Sequence, residues 1–238
     1  MPKLSVNINK IATLRNARGG NLPNVLKAAR DTVNYGAEGI TVHPRPDERH
    51  ITYQDVRDIS AANLGVEFNV EGYPNESFMA LVKETKPDQV TLVPDPPHVL
   101  TSNAGWDTVK NLDFLKEIIA ELKSYGCRTS IFMDCNLSLY NAAKETGTDR
   151  IELYTEDYAS NYHNNKEEAI AQYTAAAKKA EELDLGLNAG HDLNLDNLAY
   201  FRNNIPNLLE VSIGHALICD ALYYGLDNTV KMYLKQLG

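Results

Sequence analysis

The segment G-I-T-V-H-P-R-P-D-E-R-H at residues 39–50 passes abruptly from an apolar run into prolines, charged residues and histidines. The same break recurs in L-G-L-N-A-G-H at residues 185–191 and in L-E-V-S-I-G-H at residues 209–215. A fourth break, V-N-I-N-K-I-A-T-L-R-N-A-R-G-G, has the same shape at residues 6–20. Strands that repeatedly end in a polar loop predict repeated strand–helix units whose strands finish at one common edge.

Short β-like runs alternate with longer helix-like segments along the whole chain. The eight predicted strands lie at residues 4–8, 39–43, 66–70, 89–93, 129–133, 150–154, 186–188 and 209–213. Between them, segments such as N-L-D-F-L-K-E-I-I-A-E-L-K-S-Y-G repeat apolar residues every three or four positions, as helices with one buried face do. Eight units without a proline-rich linker favour an α/β fold, a (β/α)8 TIM barrel with additional helices. We expect residues 1–238 to form a single barrel domain; an open parallel sheet is the alternative if two weak strands are overpredicted.

Several details of the helices can also be predicted. Residues 94–111 and 155–165 are long for loops between a strand and a helix, so each is expected to hold an extra helix or a loop over the site. Glycine is the usual helix stop, which predicts helix ends at Gly36, Gly126 and Gly147. The C-terminal run predicts two short helices divided at Gly225.

Composition excludes several classes of function. The formal charge of −9 argues against a nucleic-acid or anionic-membrane partner, which would gain nothing from an acidic surface. The three cysteines have no metal-ligand spacing and are expected to be small core residues in a reducing compartment. The N-terminus has no apolar signal core, and no run approaches the ~18 residues that span a bilayer. These features predict a soluble cytoplasmic protein.

Polar residues stand at most of the predicted strand ends, where barrels of this kind have their active sites. The set comprises Asn7, Asn9, His43, Arg45, Glu71, Asp134, Glu152, His191, Gly214 and His215. A single strand-end histidine is commonly a loop hydrogen-bonding group, and a single carboxylate is commonly a helix N-cap. Histidine both gives and takes protons near neutral pH, so polar residues at most strand ends favour an enzyme.

Two features favour phosphate binding. Arg15, Arg18, Gly19 and Gly20 are predicted to form a flexible basic loop, and Gly214 lies where the last strand turns into a helix whose N–H groups favour an anion. A solvated surface loop and a simple tight turn are the respective alternatives. The sequence has no P-loop, G-x-G-x-x-G, H-E-x-x-H or nucleophile-elbow motif. Prolines between the histidines of residues 43–50 make a poor ligand frame, so no metal is expected.

Five separated blocks resemble the pyridoxine 5′-phosphate synthase family of vitamin B6 biosynthesis. They are N-I-x-x-I-A-T-L-R-N-A-R-G (7–19), G-I-T-V-H-x-R-x-D-x-R-H-I-T (39–52), E-T-K-P (84–87) with L-V-P (92–94), N-A-G-H (188–191) and I-G-H-A (213–216). The likeness keeps the same order from about residue 4 to the C-terminus. Five ordered blocks are far more specific than any single motif.

The resemblance implies a transferase, without metal or organic cofactor, that assembles as a homo-oligomer, an octamer. It implies that 3-amino-2-oxopropyl phosphate condenses with 1-deoxy-D-xylulose 5-phosphate to give pyridoxine 5′-phosphate, inorganic phosphate and water. His43 and Glu71 would accept protons, and His191 would donate one. The amino-ketone phosphate would be bound by Asn7, Arg18, Gly214 and His215, and the deoxyxylulose phosphate by Arg45, His50 and Thr101.

The chain departs from the family pattern at three positions. Asn9-Lys10 stands where the family usually has Asp-His, so a lysine replaces a histidine that contacts the sugar phosphate. Lysine is a compact charge that still binds phosphate, so we expect Asn9 and Lys10 to retain substrate binding. Asp192 replaces the glycine that follows the donor histidine. A backbone contact to substrate survives that change, whereas the carboxylate would crowd or repel a phosphate.

Two rival functions remain open. Lys10, near a strand end, would serve a Schiff-base aldolase acting on another phosphorylated sugar, and borohydride would then trap the bound substrate. A non-catalytic barrel that binds phosphorylated metabolites or a protein is the third reading. Its altered residues would be traces of lost activity, but a decayed enzyme need not keep His43, Glu71 and His191 together.

Overall fold

Eight parallel strands close into a barrel in the computed structural model, which describes residues 1–94 and 104–238. The strands are β1 (Lys3–Asn7), β2 (Gly39–Val42), β3 (Glu67–Gly72), β4 (Gln89–Leu92), β5 (Arg128–Met133), β6 (Arg150–Tyr154), β7 (Gly186–Gly190) and β8 (Leu208–Ile213). Each strand pairs with the next along the chain, and β8 pairs with β1 through Leu4 and Val211. The predicted (β/α)8 TIM barrel is confirmed, and the open-sheet alternative is wrong. All eight predicted strands are present.

Helices connect the strands and add to the basic pattern. They are α1 (Asn9–Asn16), α2 (Val25–Asn34), α3 (Tyr53–Ala62), α4 (Glu76–Thr85), α5 (Leu112–Ser124), α6 (Tyr140–Glu145), α7 (Glu156–Asn161), α8 (Lys166–Glu182), α9 (Leu198–Asn204), α10 (His215–Tyr224) and α11 (Leu226–Leu237). The extra helix predicted within residues 155–165 is α7, and the C-terminal run divides at Gly225 into α10 and α11 as predicted. Residues 95–103 of the other long loop lie outside the described residues.

The helix boundaries follow local side-chain chemistry. The Asn24, Asn75 and Asn165 side chains each accept a backbone N–H from the first turn of α2, α4 and α8. The helix stops predicted at glycine are confirmed. Gly126, for example, follows the C-cap of α5 with a φ of +90°, a conformation that glycine adopts without steric cost.

Alternation along β1 separates an apolar face from a polar one. Leu4 and Val6 are fully buried in the hydrophobic core, whereas the Ser5 hydroxyl hydrogen-bonds the Thr41 hydroxyl of β2 at 2.7 Å. The polar chain continues through Asn69 of β3 to Thr91 of β4, whose hydroxyl donates to Asn69 Oδ1 at 3.1 Å. Barrel interiors are usually filled by Val, Ile and Leu, so this row of buried polar groups is unusual.

Candidate active site

The carboxyl ends of the strands surround a cavity of about 370 Å³. It is lined by Asn7, Asn9, Lys10, His43, Arg45, His50, Glu71, Val93, Phe132, Glu152, His191, Asp192, Leu193, Ser212, Ile213, Gly214, His215 and Ala216. Eleven of the thirteen site residues predicted from sequence are among them. The sequence pattern therefore brings together side chains that are more than 200 residues apart, because parallel strands deliver their ends to one rim.

Two asparagines brace the first part of the rim. Asn7, the last residue of β1, accepts the backbone N–H of Asn9 at 3.0 Å, and Asn9 Oδ1 accepts the backbone N–H of His43 at 3.0 Å. Gly214 lies against Asn7, because a Cβ atom on Gly214 would stand 3.0 Å from Asn7 Cβ. Asn9 thus fixes the backbone from which His43 projects, and Gly214 makes room for Asn7.

His43 is a buried base with a carboxylate beside it. Its Nδ1 lies 3.8 Å from Glu71 Oε2, and the side chains of both residues are largely buried. Burial lowers the pKa of His43 well below its usual range, and the positive charge of Arg45 adds to the effect. Since the folded protein disfavours the imidazolium, His43 is neutral at pH 7 and has a nitrogen lone pair that can accept a proton.

Glu152 is a second carboxyl group in the same cavity. It is only 3% exposed, and burial raises its pKa well above the usual range, with the negative charge of Glu71 adding to the shift. Gly190 permits this position, because a Cβ atom on residue 190 would stand 2.4 Å from Glu152 Oε1. The buried site therefore favours the protonated form of Glu152, which can donate a proton where an ionised carboxylate cannot.

Cationic and neutral donors line the β2 side of the cavity. Arg45 is buried, Lys10 lies on α1, and His50 Nδ1 accepts the backbone N–H of Ile51 at 2.8 Å. Burial and the positive charges of Arg45 and Lys10 lower the pKa of His50 to about 4. Neutral His50 therefore carries its proton on Nε2, so it is a hydrogen-bond donor beside two cations. This combination suits an anion.

The loop after β7 carries a paired histidine and aspartate. His191 Nδ1 lies 2.6 Å from Asp192 Oδ2, and the edge of the His191 ring contacts Tyr154 with the ring centroids 5.1 Å apart. The hydrogen bond to His191 lowers the pKa of the Asp192 carboxyl, so Asp192 is ionised at neutral pH. An ionised carboxylate only accepts hydrogen bonds, so His191 Nδ1 is the donor.

Arg15 has a different role from the one predicted. The expectation of a flexible basic loop that includes Arg15 is wrong, because Arg15 lies in α1 and is buried against Asp55 of α3. Its Nη2 donates to Asp55 Oδ2 at 2.9 Å and to the His50 carbonyl at 3.1 Å. Asp55 in turn forms a capping box with Thr52 at the start of α3. Arg15 therefore anchors the loop that carries His50.

Replacing Arg15 with Ala should lower the free energy of unfolding by about 3–5 kcal/mol, the usual cost of leaving a buried charge without its partner. Urea unfolding measures the loss. Arg49→Ala is the matched control, because Arg49 pairs with Asp47 at a more exposed position and should cost less than about 1 kcal/mol. The double variant Arg15→Met/Asp55→Leu should recover part of the loss, because it removes the unpaired charge but also the capping box of α3. Equal effects of Arg15→Ala and Arg49→Ala would contradict this account.

Two of the predicted site residues are not among the residues that line the cavity. Arg18 is exposed just after α1 and is not among the lining residues, and Thr101 lies outside the described residues. The strand-end candidate Asp134 is likewise absent from the lining. Its Oδ2 accepts the backbone N–H of Gly105 at 3.0 Å, which gives this carboxylate a loop-bracing role.

Several residues that line the cavity were not predicted from the sequence. Val93, Phe132, Leu193, Ser212 and Ala216 complete the wall of the cavity. The sequence places Glu152 among the strand-end carboxylates but does not predict a catalytic role for it. Its position between apolar residues of β6 is the sequence feature that predicts a buried carboxyl group with a raised pKa.

The described residues hold neither a metal-binding cluster nor a membrane-spanning helix. Over residues 1–94 and 104–238 no group of three or more His, Cys, Asp or Glu side chains is arranged to hold a metal ion. Within the same ranges no helix has both the length and the apolar character needed to cross a membrane. Burial raises the pKa of Cys127 to about 11 and of Cys135 to about 12, so neither forms a reactive thiolate at neutral pH.

Solved structures with the same architecture have little sequence identity to the chain. Phosphoribosyl anthranilate isomerase from Thermotoga maritima superposes with a TM-score of 0.61 at 13% identity, covering 100% of this chain and 98% of that one. Tryptophan synthase from M. tuberculosis gives a TM-score of 0.66 at 13% identity, with 99% and 92% coverage. These similarities show the TIM-barrel fold alone.

Sequence comparison is more specific. The family model of the pyridoxal phosphate biosynthesis protein PdxJ matches residues 4–238. Pyridoxine 5′-phosphate synthase from Flavobacterium johnsoniae is 62% identical over 237 residues, covering 100% of both chains. The protein of the same name from Porphyromonas gingivalis is 58% identical over 238 residues, again covering 100% of both. The chain therefore belongs to the family of pyridoxal phosphate biosynthesis protein PdxJ.

Proposed function

We propose that the chain is a pyridoxine 5′-phosphate synthase that condenses 3-amino-2-oxopropyl phosphate with 1-deoxy-D-xylulose 5-phosphate. The products are pyridoxine 5′-phosphate, inorganic phosphate and two molecules of water. The observation that carries the proposal is the convergence in one cavity of a histidine with a lowered pKa, a carboxyl group with a raised pKa, and cationic and N–H donor groups that suit anions. Full-length identity of 62% to an enzyme of that name supports the same substrates.

The acid and base groups suit the proton transfers of this condensation. Amine attack on a ketone, loss of water and ring closure each move protons at carbon or oxygen. We assign proton acceptance to His43 and Glu71 and proton donation to His191. Glu152, whose pKa is raised by burial, adds a carboxyl group that would donate a proton to a departing hydroxyl. General acid–base groups of this kind typically accelerate a step about 10²–10⁴-fold.

The two phosphates have separate places in the proposal. Asn7, Gly214 and His215 would bind the amino-ketone phosphate, because α10 begins at His215 and its first N–H groups and dipole favour an anion. Arg45, His50, Lys10 and Asn9 would bind the deoxyxylulose phosphate from the β2 side. Arg18 and Thr101, which the family resemblance also implies as phosphate ligands, remain part of the proposal. Two reactants fixed in one cavity lose much of the entropic cost of meeting.

Lys10→Ala should raise the KM for deoxyxylulose phosphate about tenfold, since a charge-assisted hydrogen bond contributes about 1.5–3 kcal/mol. The kcat should change less, because Lys10 binds a phosphate and does not contact the reacting carbons. Loss of its positive charge should also raise the pKa of His50 above about 4. Steady-state kinetics and histidine NMR measure the two effects. The matched control is Lys178→Ala, on the exposed face of α8; a KM unchanged in Lys10→Ala would contradict the assignment.

The experiment that tests the proposed function supplies both substrates to the purified protein and follows product by chromatography. We expect pyridoxine 5′-phosphate and inorganic phosphate in equal amounts, and neither when one substrate is omitted. Borohydride in the same mixture should trap no protein-bound substrate, because Lys10 is exposed whereas Schiff-base lysines are activated by desolvation. A folded protein that forms no product, or a borohydride adduct on Lys10, would overturn the proposal.

A further inference from the structure

The His191–Asp192 pair joins adjacent residues through their side chains in an uncommon backbone conformation. The φ angle is +78° at His191 and +55° at Asp192, both in the left-handed region that residues other than glycine rarely adopt. Aspartate and histidine both tolerate this region better than most residues, but two such residues in succession are unusual. Residues held in such conformations cluster at functional sites, where the surrounding structure maintains them.

Neighbouring groups hold this backbone from three sides. The buried Thr155 hydroxyl donates to the carbonyl oxygens of Gly190 and His191. The Leu193 N–H donates to the His191 carbonyl at 2.8 Å, and the buried Asn197 side chain donates to the Asp192 carbonyl at 3.3 Å. The conformation that brings the carboxylate to the imidazole is therefore supported from outside the pair.

The geometry points to Asp192 as a positioning residue for His191. We propose that its carboxylate accepts the Nδ1–H of His191, fixes the orientation of the ring and stabilises the imidazolium, so that Nε2 gives the proton to the substrate. This inference rests on the proposed function, in which His191 is the proton donor. It replaces the expectation that the Asp192 carboxylate mainly crowds or repels a phosphate.

The same hydrogen-bonding logic applies wherever a carboxylate orients a histidine. The carboxylate keeps a proton on one ring nitrogen and fixes the orientation of the ring. The other ring nitrogen is then the one that exchanges a proton with the substrate. At 2.6 Å the Asp192–His191 contact is short, as charge-assisted hydrogen bonds are. A proton donor gains from such a partner, because the carboxylate holds Nδ1 and leaves Nε2 to face the substrate.

Other titratable groups act on the pair from the surrounding elements. Tyr154 of β6 contacts the His191 ring, and His215 of α10 acts on Asp192. The other charged or titratable groups that line the same cavity are Lys10, His43, Arg45, His50, Glu71 and Glu152, and the carboxylates that act on Tyr154 besides Asp192 are Asp134, Glu156 and Asp157. Asp192 is the carboxylate in direct hydrogen-bond contact with His191 among the contacts described, so its removal has the most direct effect.

Three substitutions separate the parts of the proposal. Asp192→Asn keeps a hydrogen-bond acceptor but removes the charge, Asp192→Gly removes both, and Asp192→Glu tests for rescue. A φ of +55° is comfortable for glycine, so Asp192→Gly leaves the loop backbone unstrained. Asp196→Asn is the matched control, an exposed aspartate in the same loop. Thermal unfolding checks that every variant is folded.

We expect kcat to fall about tenfold in Asp192→Asn and up to about 100-fold in Asp192→Gly, as when carboxylates that orient metal-bound histidines are removed. KM should change little, so that the loss falls on kcat. Asp192→Glu should recover part of the loss, and Asp196→Asn should match the wild type. A changed KM with unchanged kcat would assign Asp192 to direct substrate contact and overturn the inference.

Nitrogen-15 NMR of the ligand-free protein tests the hydrogen bond without any substrate. The wild type should show a protonated, hydrogen-bonded Nδ1 on His191 at neutral pH, and Asp192→Gly should lose this signal. An unprotonated Nδ1 in the wild type would overturn the inference even if the enzyme turns over. A wild type without turnover would overturn the proposed function, while the Nδ1 signal would still decide the Asp192 contact.

Discussion

Glu71→Gln should lower kcat by about 10²–10⁴-fold, the range expected when a general acid–base group is lost. Glu71 Oε2 lies 3.8 Å from His43 Nδ1 in a largely buried part of the cavity, and its charge acts on Glu152. Glutamine has nearly the same shape but accepts no proton in place of the carboxylate. The substitution therefore removes the base while it preserves the packing of the cavity wall.

The pH dependence of Glu71→Gln gives an additional test. Without the negative charge of Glu71, the pKa of Glu152 should fall, although burial still holds it above the usual range. The residual activity should therefore decline on the alkaline side at a lower pH than in the wild type. Steady-state kinetics from pH 5 to 9 measures both effects, and Glu117→Gln, an exposed position on α5, is the control. A wild-type kcat in Glu71→Gln would exclude Glu71 from the chemistry.

His191→Ala should produce a loss of similar size, about 10²–10⁴-fold in kcat, because the proposed proton donor is removed. The loss should be larger than in any Asp192 variant, since Asp192 acts only through His191. At a φ of +78° alanine carries backbone strain as histidine does, and the Thr155 hydroxyl bonds to the main-chain carbonyl oxygen, which the substitution does not remove. KM for either substrate should change less than kcat.

Kinetics and thermal unfolding of His191→Ala should be compared with those of His163→Ala. His163 is exposed after α7 and does not line the cavity, so its removal should leave turnover unchanged. A His191→Ala enzyme with wild-type kcat would show that another group donates the proton. Equal losses in the two variants would indicate a general effect on folding.

The fold could be predicted because its determinants are local. The apolar strand, the polar break and the periodic helix each occupy a single short segment, and eight such units admit few arrangements of parallel strands. The strand-end residues followed directly, since Asn7, His43, Glu71 and His191 need only their position at the end of a strand to meet at the rim. The local sequence pattern was therefore sufficient to predict both the barrel fold and the residues at its rim.

Contacts between distant segments could not be predicted from the sequence. Arg15 resembles a solvent-exposed loop residue in its local sequence, and only Asp55, 40 residues away, makes it a buried structural residue. Asp192 looked like an obstacle to phosphate because the sequence does not give the two positive φ angles that turn its carboxylate onto His191. Glu152 likewise owes its raised pKa to burial, which depends on the closed barrel around it.

The central claim is that this one cavity performs the condensation with the groups named. A single-turnover experiment tests it most directly, with enzyme in excess over both phosphorylated substrates and pyridoxine 5′-phosphate followed by chromatography. We predict one product per limiting substrate for the wild type and for His163→Ala, with formation slowed by about 10²-fold or more in Glu71→Gln and His191→Ala. No product from the folded wild type, or equal rates in all four proteins, would contradict the account.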